Sequence, residues 1–145
     1  HPGNLFVAQF IGSPAMNILP ANVTKAGSTT TVQLAAREVD VPVRTPADTQ
    51  GSEISFGVRP EDLYVEGGEK AIFEGRIDYV EQLGEVQLLY VDIGRKDEPL
   101  VVKLPGNAKV KRGGSVRLGA DAGNLHIFDG KGLSFSREHL AVAAE

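Results

Sequence analysis

Seventeen glycines and eight prolines cut this chain of 145 residues into short segments. That punctuation weighs against a helical fold, because an interior glycine costs about 1 kcal/mol relative to alanine and a proline about 3. Between the breaks the sequence is rich in Val, Ile, Leu, Thr, Phe and Tyr with period-two alternation, the pattern of half-buried strands. From Phe73 the odd positions Phe73, Gly75, Ile77 and Tyr79 oppose Glu74, Arg76 and Asp78, and the alternation slips near Val80, as at a bulge or strand end. Residues 86–93 are apolar except Gln87 and Asp92, which suits a strand covered on both faces. Leu100, Val102 and Leu104 alternate with Val101 and Lys103 and run into the turn signal Pro105-Gly106-Asn107. Further strands are expected over 16–23, 29–35, 39–43, 53–58, 115–118 and 125–128. With turn signals about every 8–12 residues, the pattern predicts a small all-β barrel or sandwich.

Residues 4–11 depart from this pattern and predict a short helix: Asn4 suits the cap, Gly12 the left-handed end, and Pro14 forbids continuation. Phe6 and Phe10 stand four apart, as do Val7 and Ile11, so two adjacent stripes are apolar. A helix this short and apolar must pack on something, either the open end of the barrel or a neighbouring domain. Residues 134–144 are a second candidate helix or a frayed tail.

The composition, 41% hydrophobic and 23% charged, is that of an ordinary globular domain. Its apolar runs are far shorter than the ~18 residues of a spanning helix. A net charge of −4 argues against a nucleic-acid platform. Cysteine is absent, which excludes disulfides, thiolate nucleophiles and cysteine-ligated zinc. The first residue is His1, so the sequence reads as a piece of a longer chain.

Chemistry-bearing motifs are scarce. His1, His126 and His139 do not stand at metal-ligand spacing, and His126, between Leu125 and Ile127, reads as a packed or hydrogen-bonded core residue. No G-x-S-x-G elbow occurs, and Glu61-Asp62 after Arg59-Pro60 fits a charged turn better than an acid–base pair. The doublets Gly67-Gly68 and Gly113-Gly114 open no helix, and no G-x-x-x-x-G-K-[ST] loop is present. Lys109, Lys111 and Arg112 form a small basic knot, a solvated turn or a weak anion site. Six Phe, three Tyr and no Trp supply few stacking platforms. The residues point to a binding or interaction module and not to a catalyst.

Four stretches carry a family resemblance. The opening run from Asn4 through Phe6, Phe10, Gly12, Pro14 and Met16 to Asn17 closely resembles the segment that ends the nucleotide-binding domain in ATP-binding subunits of maltose-type, carbohydrate-importing ABC transporters. Gly57-Val58-Arg59-Pro60-Glu61-Asp62-Leu63 is similar to that family's G-[IV]-R-P-E strand and turn. The run from Gly75 through Val80-Glu81-Gln82-Leu83-Gly84 to Glu85 resembles its G-x-[IV]-x-x-V-E-x-L-G-x-E hairpin. Leu125-His126-Ile127-Phe128-Asp129 is similar to its terminal strand. Together they cover the chain from residue 4 to about 132.

The resemblance implies the C-terminal regulatory domain alone, since the lysine loop, the Leu-Ser-Gly-Gly-Gln signature and the Walker B aspartate are missing. ATP, magnesium and hydrolysis are therefore expected only in a nucleotide-binding domain outside this sequence, and no cofactor within it. The implied fold is an OB-fold-like small barrel with additional strands and a short N-terminal helix. Residues 1–14 would end the nucleotide-binding domain, 15–132 would form the regulatory domain, and 133–145 a tail. Phe6, Phe10 and Ile11 would pack between domains. The implied partners are a second copy, the membrane permease through the ATPase domain, and a phosphotransferase-system regulator or transcription activator. Arg59, Pro60, Glu61, Glu81, Gln82, Leu83 and Gly84 are the expected dimer or regulator contacts, at the cytoplasmic face of the bacterial inner membrane. A stand-alone barrel binding an oxyanion or saccharide is the alternative.

Overall fold

The period-two segments are strands in the computed structural model, which describes residues 15–34, 37–95, 97–130, 132 and 135. In chain order they are β1 (Asn17–Lys25), β2 (Thr30–Gln33), β3 (Glu38–Val41), β4 (Glu53–Val58), β5 (Tyr64–Val65), β6 (Phe73–Gln82), β7 (Val86–Asp92), β8 (Leu100–Pro105), β9 (Ser115–Gly119) and β10 (Leu125–Phe128). Each expected strand is present; β5, two exposed residues long, is additional and too short to carry an alternation. The expected helix over 4–11, with Phe6, Phe10 and Ile11, and the tail over 134–144 lie outside the described residues apart from residue 135.

The chain divides into two compact units, one of residues up to Val58 together with those from Asp121 onward, the other of residues 59–120. In the first, an antiparallel sheet runs β10-β4-β1-β2-β3. It curls, bringing its edge strands β10 and β3 near each other. Alternate residues Leu19, Ala21 and Val23 of β1 face inward, opposite Phe56 and Ile54 of β4, and all are nearly inaccessible. All of β10 is buried, because its other face is also covered: Met16, Ile18 and Phe128 cluster there, and Gly57 leaves the space they fill. Buried Thr30 donates to the Val43 carbonyl at 2.7 Å and shares a 2.8 Å hydrogen bond with buried Thr45.

Pro20 lies inside β1, where a ladder bond would normally be lost. None is. Val23 bonds through both its N–H and its carbonyl to Ser52 and Gly51 on the β4 side. Backbone directions alternate along a strand, so residue 20 turns its nitrogen to the opposite flank. On that flank β2 pairs only with residues 22–25 of β1.

The second unit has the order β5-β9-β6-β7-β8, with the 3-10 turn Pro60–Asp62 packed against β8. Phe73, Ile77, Leu89, Val91, Leu100, Val102, Val116 and Leu118 form its inner face. The central event is a register shift in β6 between Ile77 and Tyr79. Here the segment after β8 takes over the backbone partners: Ile77 donates to Gly114 at 2.9 Å, Gly113 donates to Ile77 at 2.6 Å, and the Arg112 side chain donates to the Asp78 carbonyl at 3.0 Å. The expected slip near Val80 thus falls two residues earlier, on Asp78. Its consequence corrects the reading of one face: Phe73, Gly75 and Ile77 point inward, but Tyr79 is turned out and is 54% exposed. Strand β7 is largely covered, as expected, with Gln87, Leu88, Leu89 and Val91 buried and Tyr90 half-buried.

The motif glycines predict graded costs. A Cβ at Gly75 would stand 2.2 Å from the Asp92 backbone carbonyl oxygen, whereas one at Gly57 would stand 2.7 Å from the Met16 sulfur, the end of a flexible side chain. Both alanine substitutions overpack the core, at about 1–3 kcal/mol each. Gly75→Ala is expected at the upper end or beyond and Gly57→Ala at the lower, read from the midpoint of urea unfolding at unchanged slope.

Candidate interaction surface

In the turn after β4, Arg59 has extended backbone and its carbonyl accepts from the Asp62 N–H at 3.0 Å; Pro60, buried, takes the first position of the 3-10 turn. Leu63, 2% exposed, completes the anchor. Glu61 is exposed and Arg59 half-buried, and no ion pair joins them. Pro60 therefore shapes the turn, while Arg59 and Glu61 present their charges.

The β6–β7 hairpin is closed by Gly84, whose φ of 89° lies in the left-handed region that favours glycine. Its tip is clamped to the turn after β8: the Gly106 N–H donates to the Glu85 carbonyl at 2.7 Å, and a Cβ at Gly106 would strike the Gly84 carbonyl. Gln87 is the hidden fastener. Its side chain is 1% exposed and donates to the carbonyls of Pro105 at 3.0 Å and Ala108 at 2.8 Å, while Gln82 donates to Gln87 at 3.3 Å. Gln82 and Gly84 thus build the hairpin. Gln87 has a sequence signal of its own, a lone amide in an apolar run.

Past the bulge, the outward residues of β6, β7 and β8 align in rows. Tyr79 pairs with Tyr90 and Tyr90 with Val101; Glu81 pairs with Leu88 and Leu88 with Lys103; Leu83 bonds Val86, which pairs with Pro105. This face is apolar apart from Glu81 and Lys103. Leu83, like Tyr79, is 54% exposed. The Tyr79 and Tyr90 rings lie 5.7 Å apart, and the Tyr90 hydroxyl donates to Glu81 Oε1 at 3.1 Å. Burial, and next the bond to the Glu81 carboxylate, push the Tyr90 phenol above the ordinary tyrosine range.

The basic knot is divided. Lys109 and Lys111 line a shallow cleft of about 370 Å³ with Glu66, Ser115 and Arg117, while Arg112 is drawn to the β6 bulge. Arg117, which the sequence reading passed over, stands 3.3 Å from Glu74, but its buried Nε lacks a well-directed hydrogen bond. A second depression carries Asp78, Asp92, Asp97 and Glu98 beside Arg95. Among the described residues no three acidic or histidine side chains converge as metal ligands. His126 is buried and stacks on Phe128 at 6.4 Å.

Two five-stranded antiparallel sheets, the first curled on itself, with no long helix among the described residues, define an all-β, OB-type protein. The chain matches the model of the MalK OB fold domain over residues 12–63 and that of the TOBE domain over residues 56–128. It belongs to the TOBE domain family, as the resemblance implied, and the two matches overlap where the units divide. It is 50% identical over 135 residues to the alpha-glucoside transport ATP-binding protein AglK of Rhizobium meliloti, covering 92% of this chain and 37% of that protein. It is 34% identical over 142 residues to the maltose/maltodextrin import ATP-binding protein MalK of Photorhabdus laumondii, covering 96% and 38%. To the sn-glycerol-3-phosphate import ATP-binding protein UgpC of Psychromonas ingrahamii it is 37% identical over 139 residues, covering 89% and 34%. The chain thus spans little more than a third of these relatives. The crystal structure of the cytoplasmic molybdate-binding protein ModG superimposes with a TM-score of 0.62 at 14% identity, covering 77% of this chain and 94% of that one, a likeness of fold.

Two outcomes follow from this surface. In an alkaline titration followed by phenolate absorbance Tyr90 should ionise above the ordinary tyrosine range, and Glu81→Gln should lower its pKa without abolishing the shift. Because the folded value is raised, the stability from neutral Tyr90 is full below the ordinary tyrosine pKa and is lost as pH rises through the folded one. Gln87→Leu should cost about 1–3 kcal/mol in urea unfolding, since two carbonyls lose a buried donor.

Proposed function

We propose that this chain is the regulatory part of a sugar importer's ATP-binding subunit, that it holds two such subunits together, and that it offers regulators a docking surface. The observation that carries this reading is the match to both the MalK OB fold and TOBE domains, with import ATP-binding proteins as relatives along nearly the whole chain. A standing contact between regulatory parts keeps the second subunit at high effective concentration, so closure driven by ATP becomes a hinge motion and not a fresh encounter. Between identical subunits the contact is isologous.

In this reading Glu81 and Leu83 face a second copy, Arg59 and Glu61 face a regulator such as a phosphotransferase-system protein or transcription activator, and Pro60, Gln82 and Gly84 hold the turns in shape. ATP and magnesium would bind outside this sequence, which has no lysine phosphate loop. The 50% identity to an alpha-glucoside transport protein favours an α-glucoside as cargo over maltodextrin or glycerol 3-phosphate. The subunit would reach the permease through its ATPase part, peripherally, at the cytoplasmic face of the inner membrane. No helix among the described residues is long and apolar enough to cross a membrane.

The cleft with Lys109, Lys111 and Arg117 favours one other reading, a small-oxyanion binder. Sedimentation equilibrium and calorimetric titration with phosphate, sulfate, molybdate and maltose separate the two. Self-association with silent titrations is the expected outcome. A monomer at all concentrations that gives micromolar heat with one anion would overturn the proposal.

A further inference from the structure

We infer that the cleft beside the open end of β9 binds a phosphorylated monosaccharide, with the phosphate on its lysines and the sugar hydroxyls on Glu66. The inference goes beyond the proposed pairing of subunits and does not depend on it.

The cleft exists because β5 stops early. Tyr64 and Val65 pair with Gly119 and Leu118, and the Glu66 N–H donates to the Arg117 carbonyl at 2.8 Å. Continued in that register, Gly68 would lie opposite Ser115, but no backbone bond joins residues 67–70 to Ser115 among the described residues. Backbone directions alternate along a strand, so Ser115 turns its backbone the same way as Arg117, into the gap left by β5. Its N–H is a donor with no strand to meet. The gap holds about 370 Å³, the scale of a small-molecule site, and Val65, Val110 and Val116 give it aliphatic walls.

The charges in the cleft select the ligand. Lys109, Lys111 and Glu66 have no ion-pair partner among the described residues, whereas Arg117 is shared with Glu74. Two free ammonium groups, a hydroxyl and an N–H suit a phosphate monoester, which carries about −1.5 to −2 charges near neutral pH. Inorganic phosphate meets the same donors but offers the Glu66 carboxylate mainly repulsion. A sugar ester adds hydroxyls that donate to that carboxylate and a C–H face that rests on the valines. No aromatic ring lines the cleft, so a nucleobase finds no stacking partner there. Each half binds weakly alone at so open a site. Joined in one molecule, the second half binds at high effective concentration.

The test is calorimetric titration of this chain with glucose 6-phosphate, glucose and inorganic phosphate. The ester should bind at least tenfold more tightly than either half. Lys109→Gln combined with Lys111→Gln should weaken the ester at least tenfold. Glu66→Gln should weaken the ester severalfold and leave phosphate as tight as before or tighter. Lys109 and Lys111 are exposed and Glu66 half-buried, so urea midpoints should stay near the parent's and separate lost binding from lost fold. An ester no tighter than phosphate, or strengthened by Glu66→Gln as phosphate is, would overturn the sugar half of the site. A lysine variant that binds the ester as the parent does would overturn the cleft. None of these results bears on self-association, so the proposed pairing stands or falls separately.

Discussion

One extra residue in β6 organises the second unit. A strand of ten residues with strict alternation would present Tyr79 to the core, as the sequence pattern suggests. The register shift at Asp78 reverses the sense of every side chain that follows. The bulge is held by groups from elsewhere in the unit, two backbone bonds from Gly113 and Gly114 and the Arg112 guanidinium on the Asp78 carbonyl. Arg112 thus has a structural task, and the basic knot of which it was a part is two features with different roles.

Most of the fold was legible because it follows from local chemistry. Pro105-Gly106-Asn107 stops β8, Gly84 turns the hairpin, and alternation in 100–104 separates Leu100, Val102 and Leu104 from Val101 and Lys103. What stayed hidden depends on partners distant in sequence. The face of Tyr79 is decided by Gly113 and Gly114, the burial of Gln87 by carbonyls after β8, and the two-residue β5 by its pairing with Gly119 and Leu118 of β9. Arg117 was silent for the same reason: only folding places it in the cleft with Lys109 and Lys111. The family resemblance identified the turns after β4 and β6. It did not separate the residues that shape them, Pro60, Gln82 and Gly84, from those that project beyond them.

The second unit divides labour along its length. At one end of the outward face, Arg76 bridges Asp78 at 3.0 Å and approaches Asp92 at 3.9 Å, while Arg117 lies near Glu74, so opposite charges stand together within the chain. Beyond the bulge the face becomes apolar, with opposite charges on separate strands. Exposed ion pairs of the first kind add little stability, roughly 0–1 kcal/mol each, and suit a solvated surface. An apolar face carrying separated charges suits a surface that is covered part of the time.

Pro20 bears on how many copies such a protein can gather. A strand flank with unused donors is a template for the next chain, and a row of chains joined in that way has no natural end. Of the two β1 residues, 18 and 20, that look away from β4 beyond the reach of β2, Pro20 has no N–H to offer. Ribbon-like addition of a further strand along that flank is thus hindered at the level of the backbone, one ladder bond short.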